Sequence, residues 1–163
     1  MSKSKIVGMM ALIAFVMGIV LVNCAVAGER GKVADREVFH TASFQSLKGP
    51  DIAGHTLHVM DTKGIGFTEK WGACLIYTNS VVDLVKGEWT AQGYNQHTFP
   101  DGSTTVHKWD GNNKGKGASA EGTWTYIKGT GRFEGIQGGG TWKSYIMASD
   151  QWYSDAEGEY TLP

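Results

Sequence analysis

Aromatic and β-branched residues alternate with small or polar ones between residues 122 and 142, where the chain reads GTWTYIKGTGRFEGIQGGGTW. Alternation with a period of two is typical of β-strands, because successive side chains of a strand point to opposite faces of its sheet. The glycines fall in groups where a chain can turn, and they disfavour a helix. The segment therefore predicts a β-hairpin, and the rest of the chain must supply strands that pair with it.

The first 27 residues have the three parts of a secretory signal peptide. Two lysines form a basic start, an apolar run covers residues 6–22, and Ala25–Ala27 forms a small-residue cleavage motif. We therefore expect cleavage after this motif and a secreted or periplasmic bacterial protein. A membrane anchor is one alternative, because the apolar run approaches the length of a spanning helix. A lipid anchor on Cys24 is the other.

Residues 28–163 have the length of a single domain. We expect residues 28–35 to be a flexible N-terminal segment and residues 36–163 to form the β-barrel domain. The net charge of the whole chain is −1, so no basic surface favours nucleic acid or an anionic membrane. Cleavage leaves Cys74 as the one cysteine, which excludes an internal disulfide, and its apolar neighbours predict a buried thiol.

Eight segments of this domain carry strand patterns separated by turn signals. In the clearest turn, Phe99–Ser103, proline presets the backbone and glycine takes the left-handed position. Short strands at regular spacing predict an all-β fold, either an antiparallel barrel or a sandwich. We expect the barrel, because closing the sheet removes exposed edges and leaves room for one small ligand. The predicted strands are a first that begins at Val38 and ends near Lys48, His55–Met60, Trp71–Tyr77, Gly87–Thr98, a fifth ending at Trp109, Ala118–Lys128, Ile136–Met147 and Gln151–Leu162.

Four segments resemble a known group of barrels. Thr125–Gly138 resembles the glycine-rich hairpin shared by plant allene oxide cyclases and dirigent proteins. Gly72–Tyr77 resembles a cyclase strand, Gly87–Tyr94 keeps the cyclases' Gly-Glu start and strand tyrosine, and Phe99–Thr105 resembles a dirigent turn. The similarity extends to exported bacterial proteins with an allene-oxide-cyclase-like barrel. It implies a calycin-like, single antiparallel eight-stranded barrel whose cavity binds a small apolar or aromatic molecule, commonly in a homotrimer.

The resemblance also implies chemistry by confinement of a reactive substrate, with a carboxylate on the first strand polarising a bound group. The first strand here does not place a carboxylate in register with that position, and His40 lies in its neighbourhood instead. On the fourth strand Glu88, Gln92 and Tyr94 share one face. If that face lines the cavity, Glu88 becomes a candidate general acid or base and Tyr94 a ligand-orienting hydroxyl.

The predicted catalytic residues are therefore Glu88 and Tyr94, and the predicted ligand-binding residues are His40, Cys74, Gln92, Tyr94 and Tyr126. Neither a metal nor a cofactor is predicted. His55 and His58, three apart on a strand, face opposite sides. His97 and His107 flank a turn, so a zinc or copper site between them is an alternative. The six tryptophans fit core filling or a subunit interface better than an aromatic cage.

Three functions remain open from the sequence. The leading hypothesis is an exported barrel that binds a small, largely apolar ligand in its central cavity. The first alternative is a cyclase or isomerase acting on an unsaturated or aromatic precursor in the same cavity, and the second is a structural, self-assembling barrel without a ligand. A central void of roughly 300 Å³ or more is expected for the first two.

Overall fold

The computed structural model describes residues 28–115, 117–148 and 150–163, which form eight β-strands. The predicted signal peptide lies outside the described residues. The one helical element in these ranges is a 3-10 turn, Gly131–Phe133. The described residues contain no helix that is long and apolar enough to cross a membrane. The strands are β1 (Arg30–Lys48), β2 (His55–Thr68), β3 (Gly72–Val85), β4 (Glu88–Thr98), β5 (Thr104–Asn112), β6 (Ser119–Thr130), β7 (Gln137–Ala148) and β8 (Gln151–Thr161).

Each strand pairs antiparallel with its neighbours in sequence, and β1 pairs with β8 to close the sheet into a barrel. The closing register runs from Arg30 opposite Thr161 to His40 opposite Gln151. Closure leaves no open edge along β1 or β8, as expected for a small all-β domain. The predicted single antiparallel eight-stranded barrel is therefore confirmed.

Strand β1 begins earlier than the sequence predicted. Residues 30–35, expected to be flexible, pair with β8, and Val33 and Asp35 are buried. The polar composition of this stretch predicts a flexible segment, but the stretch is a strand whose alternate residues face the interior. A register shift between Thr41 and Ser43 marks a bulge in the second half of β1, where the exposed residues begin.

One end of the barrel is closed by side chains. It carries the β2–β3, β4–β5 and β6–β7 connections, and we call it the packed end. Phe133 is fully buried there, with its ring centroid 4.8 Å from that of Phe99 and 4.9 Å from that of Trp71. The buried apolar cluster consists of Val33, Cys74, Ile76, Phe99, Trp124, Tyr126, Phe133, Ile136 and Tyr160.

Glycines on the inner face make room for indole rings. A Cβ built on Gly93 would lie 2.9 Å from the ring of Trp109 and 2.3 Å from the carbonyl oxygen of Asn79. A Cβ on Gly111 would lie 2.2 Å from the ring of Trp142. These close approaches explain two of the glycines in the strands, because any larger residue would displace a tryptophan or the neighbouring backbone.

Candidate ligand-binding cavity

A cavity of about 220 Å³ occupies the barrel above the packed end. It is smaller than the roughly 300 Å³ expected for a ligand pocket from the sequence argument, but the barrel is not packed shut. Five of the six tryptophans line it: Trp89, Trp109, Trp124, Trp142 and Trp152. Phe39, Met60, Val82 and Leu84 add further apolar surface. Five of the indoles that the sequence predicts to be core or interface residues thus line a cavity.

The cavity ends in a polar cluster next to the packed end. Asp35 and Glu37 are successive inward residues of β1, and both line the cavity. His97 reaches the cluster from β4, with its Nε2 atom 3.1 Å from Oε1 of Glu37. All three residues are buried. Strand alternation explains the pair on β1, since residues two apart point to the same face.

Burial and neighbouring charges shift the pKa values of this cluster. Burial raises the pKa of the Asp35 carboxyl to about 7, although His97 opposes the shift. Burial alone would lower the pKa of His97, but Cys74 and the Glu37 carboxylate outweigh it and raise the value to about 10. At neutral pH the imidazolium of His97 therefore faces the Glu37 carboxylate, while Asp35 is present in both protonation states.

His107 lies beside His97, but its pKa is shifted in the opposite direction. The ring centroids of His97 and His107 are 4.5 Å apart, and Nε2 of His107 is 3.0 Å from the hydroxyl of Thr105. Burial, together with the nearby His97, lowers the pKa of His107 well below its ordinary value. His107 stacks on Trp124 at 5.2 Å, so it behaves as a neutral ring of the cavity wall.

Several buried polar atoms near the cavity have no hydrogen-bond partner among the described residues. They are Oδ1 of Asp35, Nδ1 of His58, Oγ1 of Thr62, Nε2 of His97 and Nε1 of Trp109. The contact between His97 and Glu37 is close enough for an ion pair but not aligned as a hydrogen bond. Buried polar atoms are nearly always paired in folded proteins, so this group points to a partner that enters the cavity.

Two of the sequence-predicted binding residues lie inside the barrel. Cys74 and Tyr126 are both buried in the cluster at the packed end. Cys74 adjoins His97 and contributes to the rise in the pKa of that imidazole. Burial raises the pKa of the Tyr126 hydroxyl, with a contribution from Asp35. These two residues lie beneath the polar end of the cavity, and a binding role for them stays a prediction.

The remaining predicted residues lie on the outside, contrary to the expectation that they face the cavity. Glu88, Gln92 and Tyr94 share the outer face of β4, where Tyr94 is 50% exposed. His40 is exposed on β1. The inner face of β4 carries Trp89, Ala91, Asn95 and His97. The sequence leaves the inward face of β4 open, because both faces carry aromatic and polar residues and alternation does not say which one points inward.

Sequence reasoning missed Asp35, Glu37 and His97 as a group. Asp35 and Glu37 alternate with half-buried or exposed residues between the buried Val33 and the half-buried Phe39. That spacing is the available signal, but the polar composition of residues 28–35 predicts a flexible segment and so hides the inward position of Asp35. Each of the three residues offers one donor atom, and these atoms lie within 4.8 Å of one another, close enough to hold a metal ion. The sequence had predicted no such set.

No family model and no curated protein matches the chain. Among solved structures, the pterocarpan synthase dirigent protein GePTS1 is similar over 83% of this chain and 89% of that chain, with a TM-score of 0.51 and 16% sequence identity. The pterocarpan synthase dirigent protein PsPTS1 is similar over 82% and 95%, with a TM-score of 0.48 and 14% identity. The first similarity shows that the described residues share the barrel fold of that dirigent protein.

Proposed function

We propose that this dirigent-type barrel binds a compact, largely apolar ring compound in its cavity, with a polar group of the ligand at Asp35, Glu37 and His97. The observation that carries the proposal is the arrangement of the cavity. Five indole rings line its wall, and buried polar atoms without partners lie at its end. Pockets for small organic molecules combine an apolar lining with a few placed polar groups in this way.

The size of the cavity narrows the ligand class. A volume of about 220 Å³ suits one ring or a small fused ring system and disfavours a long acyl chain. The flat indoles of Trp109 and Trp142, which pack edge to face at 5.7 Å, suit a planar ligand. GePTS1, which has a similar fold, is a pterocarpan synthase dirigent protein, and a ring compound is in keeping with that activity.

Intrinsic tryptophan fluorescence tests this proposal directly, because the indoles surround the ligand. We expect 1-naphthol to change the emission saturably, naphthalene to bind more weakly because it lacks the hydroxyl, and a long-chain fatty acid to have no effect. Ala91→Leu, which adds volume to the cavity wall, should weaken naphthol binding at least about tenfold, equivalent to about 1.4 kcal/mol. Ala73→Leu, on the exposed face of β3, is the matched control.

Two results would contradict the proposal. One is the absence of a saturable change with any ring compound of this size. The other is an equal effect of Ala91→Leu and Ala73→Leu, which would place the binding surface elsewhere. Near-ultraviolet circular dichroism of both variants establishes that the barrel is still folded when the comparison is made.

A second candidate function is a cyclase or isomerase that acts in the same cavity. The observation in its favour is that Glu37, a carboxylate on the first strand, faces the cavity beside His97 and is buried. A buried carboxylate next to a confined substrate can polarise a developing charge. Turnover of an unsaturated epoxide or aromatic precursor should fall at least about 100-fold in Glu37→Gln. Glu159→Gln, exposed on β8, is the control, and equal turnover in both variants would remove this candidate.

We also propose that the protein is exported and self-associates. The signal-peptide pattern of residues 1–27 supports export, and mass spectrometry of the mature N-terminus tests it. Val38, Ile65 and Leu75 lie side by side across β1, β2 and β3, and each is about half exposed or more. Apolar patches of this kind favour burial between copies. Light scattering after gel filtration should give an oligomer that Ile65→Lys dissociates, and a monomeric wild type would contradict self-association.

A further inference from the structure

We propose that Asp35, Glu37 and His97 form a binding site for a divalent first-row transition-metal ion at the polar end of the cavity. The site is inferred from the positions of the donor atoms and from their lack of other partners. It uses the same three side chains that the proposed function assigns to the polar group of the ligand, but it does not depend on the identity of that ligand.

The donor atoms have the spacing of a metal site. The three atoms lie within 4.8 Å of one another, and Nε2 of His97 is 3.1 Å from Oε1 of Glu37. Zinc and similar ions bind nitrogen and carboxylate oxygen at about 2.0–2.2 Å, which places neighbouring ligand atoms about 3 Å apart. The His97–Glu37 distance matches that separation, and the donor atom of Asp35 lies within 4.8 Å of both.

Unpaired atoms are the second observation. Oδ1 of Asp35 is buried and has no hydrogen-bond partner among the described residues, and Nε2 of His97 makes no aligned hydrogen bond although it lies 3.1 Å from Glu37. Both belong to side chains that are at least nine-tenths buried. Leaving such atoms unpaired costs free energy, and a cation between them would satisfy both at once.

Charge gives a third argument. Two carboxyl groups and one imidazole meet in a buried place, where an uncompensated charge is costly. A divalent ion bound to a neutral imidazole would neutralise both carboxylates. Metal binding of this kind replaces the proton of the imidazole, since only the neutral ring can ligate.

The donor set indicates the class of ion. Two carboxylate oxygens and one imidazole nitrogen suit zinc, manganese, iron(II) or cobalt(II) better than calcium, which prefers oxygen alone. Three protein ligands leave at least one coordination position for a further group, as in catalytic zinc sites. Asp35 and Glu37 line the cavity, so that position is available to a water molecule or to an oxygen of a bound compound.

Cobalt(II) is the sharpest probe, because its visible absorption reports coordination number. We expect purified protein, stripped with EDTA and desalted, to bind one equivalent of Co²⁺ with the intense visible bands of a four- or five-coordinate ion. Zn²⁺ should displace it, and Zn²⁺ should raise the Tm. Glu37→Gln and Asp35→Asn should each weaken Zn²⁺ binding by at least about 100-fold, since the loss of even an outer-shell partner costs about 10–100-fold.

The controls separate this site from exposed histidines and from the organic-ligand proposal. His40→Asn and Glu159→Gln remove exposed side chains and should leave Co²⁺ binding unchanged. The inference is overturned if the folded wild type binds no Co²⁺ or Zn²⁺, or if Glu37→Gln and Asp35→Asn both bind as the wild type does. Naphthol titrations in the presence of EDTA report the organic ligand separately, so either proposal can fail while the other stands.

Discussion

Oε1 of Glu37 and Nε2 of His97 lie 3.1 Å apart and connect β1 to β4, two strands that are not neighbours in the barrel. Both side chains are buried. The contact therefore crosses the interior of the barrel and does not join two hydrogen-bonded strands. It lies between the packed end and the cavity. The imidazole of His97 is protonated at neutral pH, because Cys74 and Glu37 raise its pKa to about 10 against the opposing effect of burial.

Removing one partner of this pair should destabilise the barrel strongly. Glu37→Gln leaves His97 without its opposite charge, and breaking a buried pair from one side typically costs about 3–5 kcal/mol. Urea unfolding followed by tryptophan fluorescence measures the change in the free energy of unfolding. Glu88→Gln, on the exposed face of β4, should change it by less than about 0.5 kcal/mol. Equal effects of the two variants would contradict the assignment of inner and outer faces.

The packed end should depend on Phe133. Its ring is fully buried between those of Phe99 and Trp71, so truncation leaves a cavity that its neighbours cannot refill. Phe133→Ala is expected to cost about 3–5 kcal/mol of unfolding free energy. Phe67→Ala removes the same ring from a side chain that is 55% exposed and should cost much less. A small effect at Phe133 would show that this end is loosely packed.

The sequence predicted the architecture better than the site. Alternation along the chain and the turn at Phe99–Ser103 are local sequence signals. The barrel has strands where residues alternate and a turn between β4 and β5. Which face of β4 points inward depends on the tertiary fold. Trp89 and Tyr94 lie on opposite faces, and the sequence of β4 alone does not say which of them is inside. Asp35 and Glu37 were missed for a related reason. A carboxylate in a strand usually predicts a solvent-exposed position. The burial of this pair beside His97, which lies 3.1 Å from Glu37, is visible only in the folded barrel.

Gly93 should resist substitution because of its place beside Trp109. A Cβ there would lie 2.3 Å from the carbonyl oxygen of Asn79, which belongs to the backbone and cannot swing away. Gly93→Ala is therefore expected to destabilise the protein by about 1–3 kcal/mol through overpacking and to perturb the near-ultraviolet circular dichroism of the indole. Thr90→Ala, exposed on the same strand, is the control. Unchanged stability of Gly93→Ala would refute the close approach.

The last prediction concerns His55, which links the β1–β2 connection to β3. Nδ1 of His55 lies 2.5 Å from Oδ1 of Asp51, and Nε2 lies 2.9 Å from Oδ1 of Asp83. Asp51, and to a lesser extent Asp83, raise the pKa of His55 above its ordinary value. A pKa that is higher in the folded state stabilises the fold below the unfolded value of about 6.5, and this stabilisation is lost as the pH rises through the folded value.

The stability difference between the wild type and His55→Gln should therefore be largest at mildly acidic pH and shrink as the pH rises above about 6.5. At the acid limit the difference should fall again, because His55 lowers the pKa of Asp51, whose contribution disappears once that carboxylate is protonated. Urea unfolding at a series of pH values measures both limbs. His40→Gln, an exposed histidine on β1, should show no such profile. A difference that grows with pH would mean that His55 is held in its neutral form, and the two aspartates would then not act as its partners.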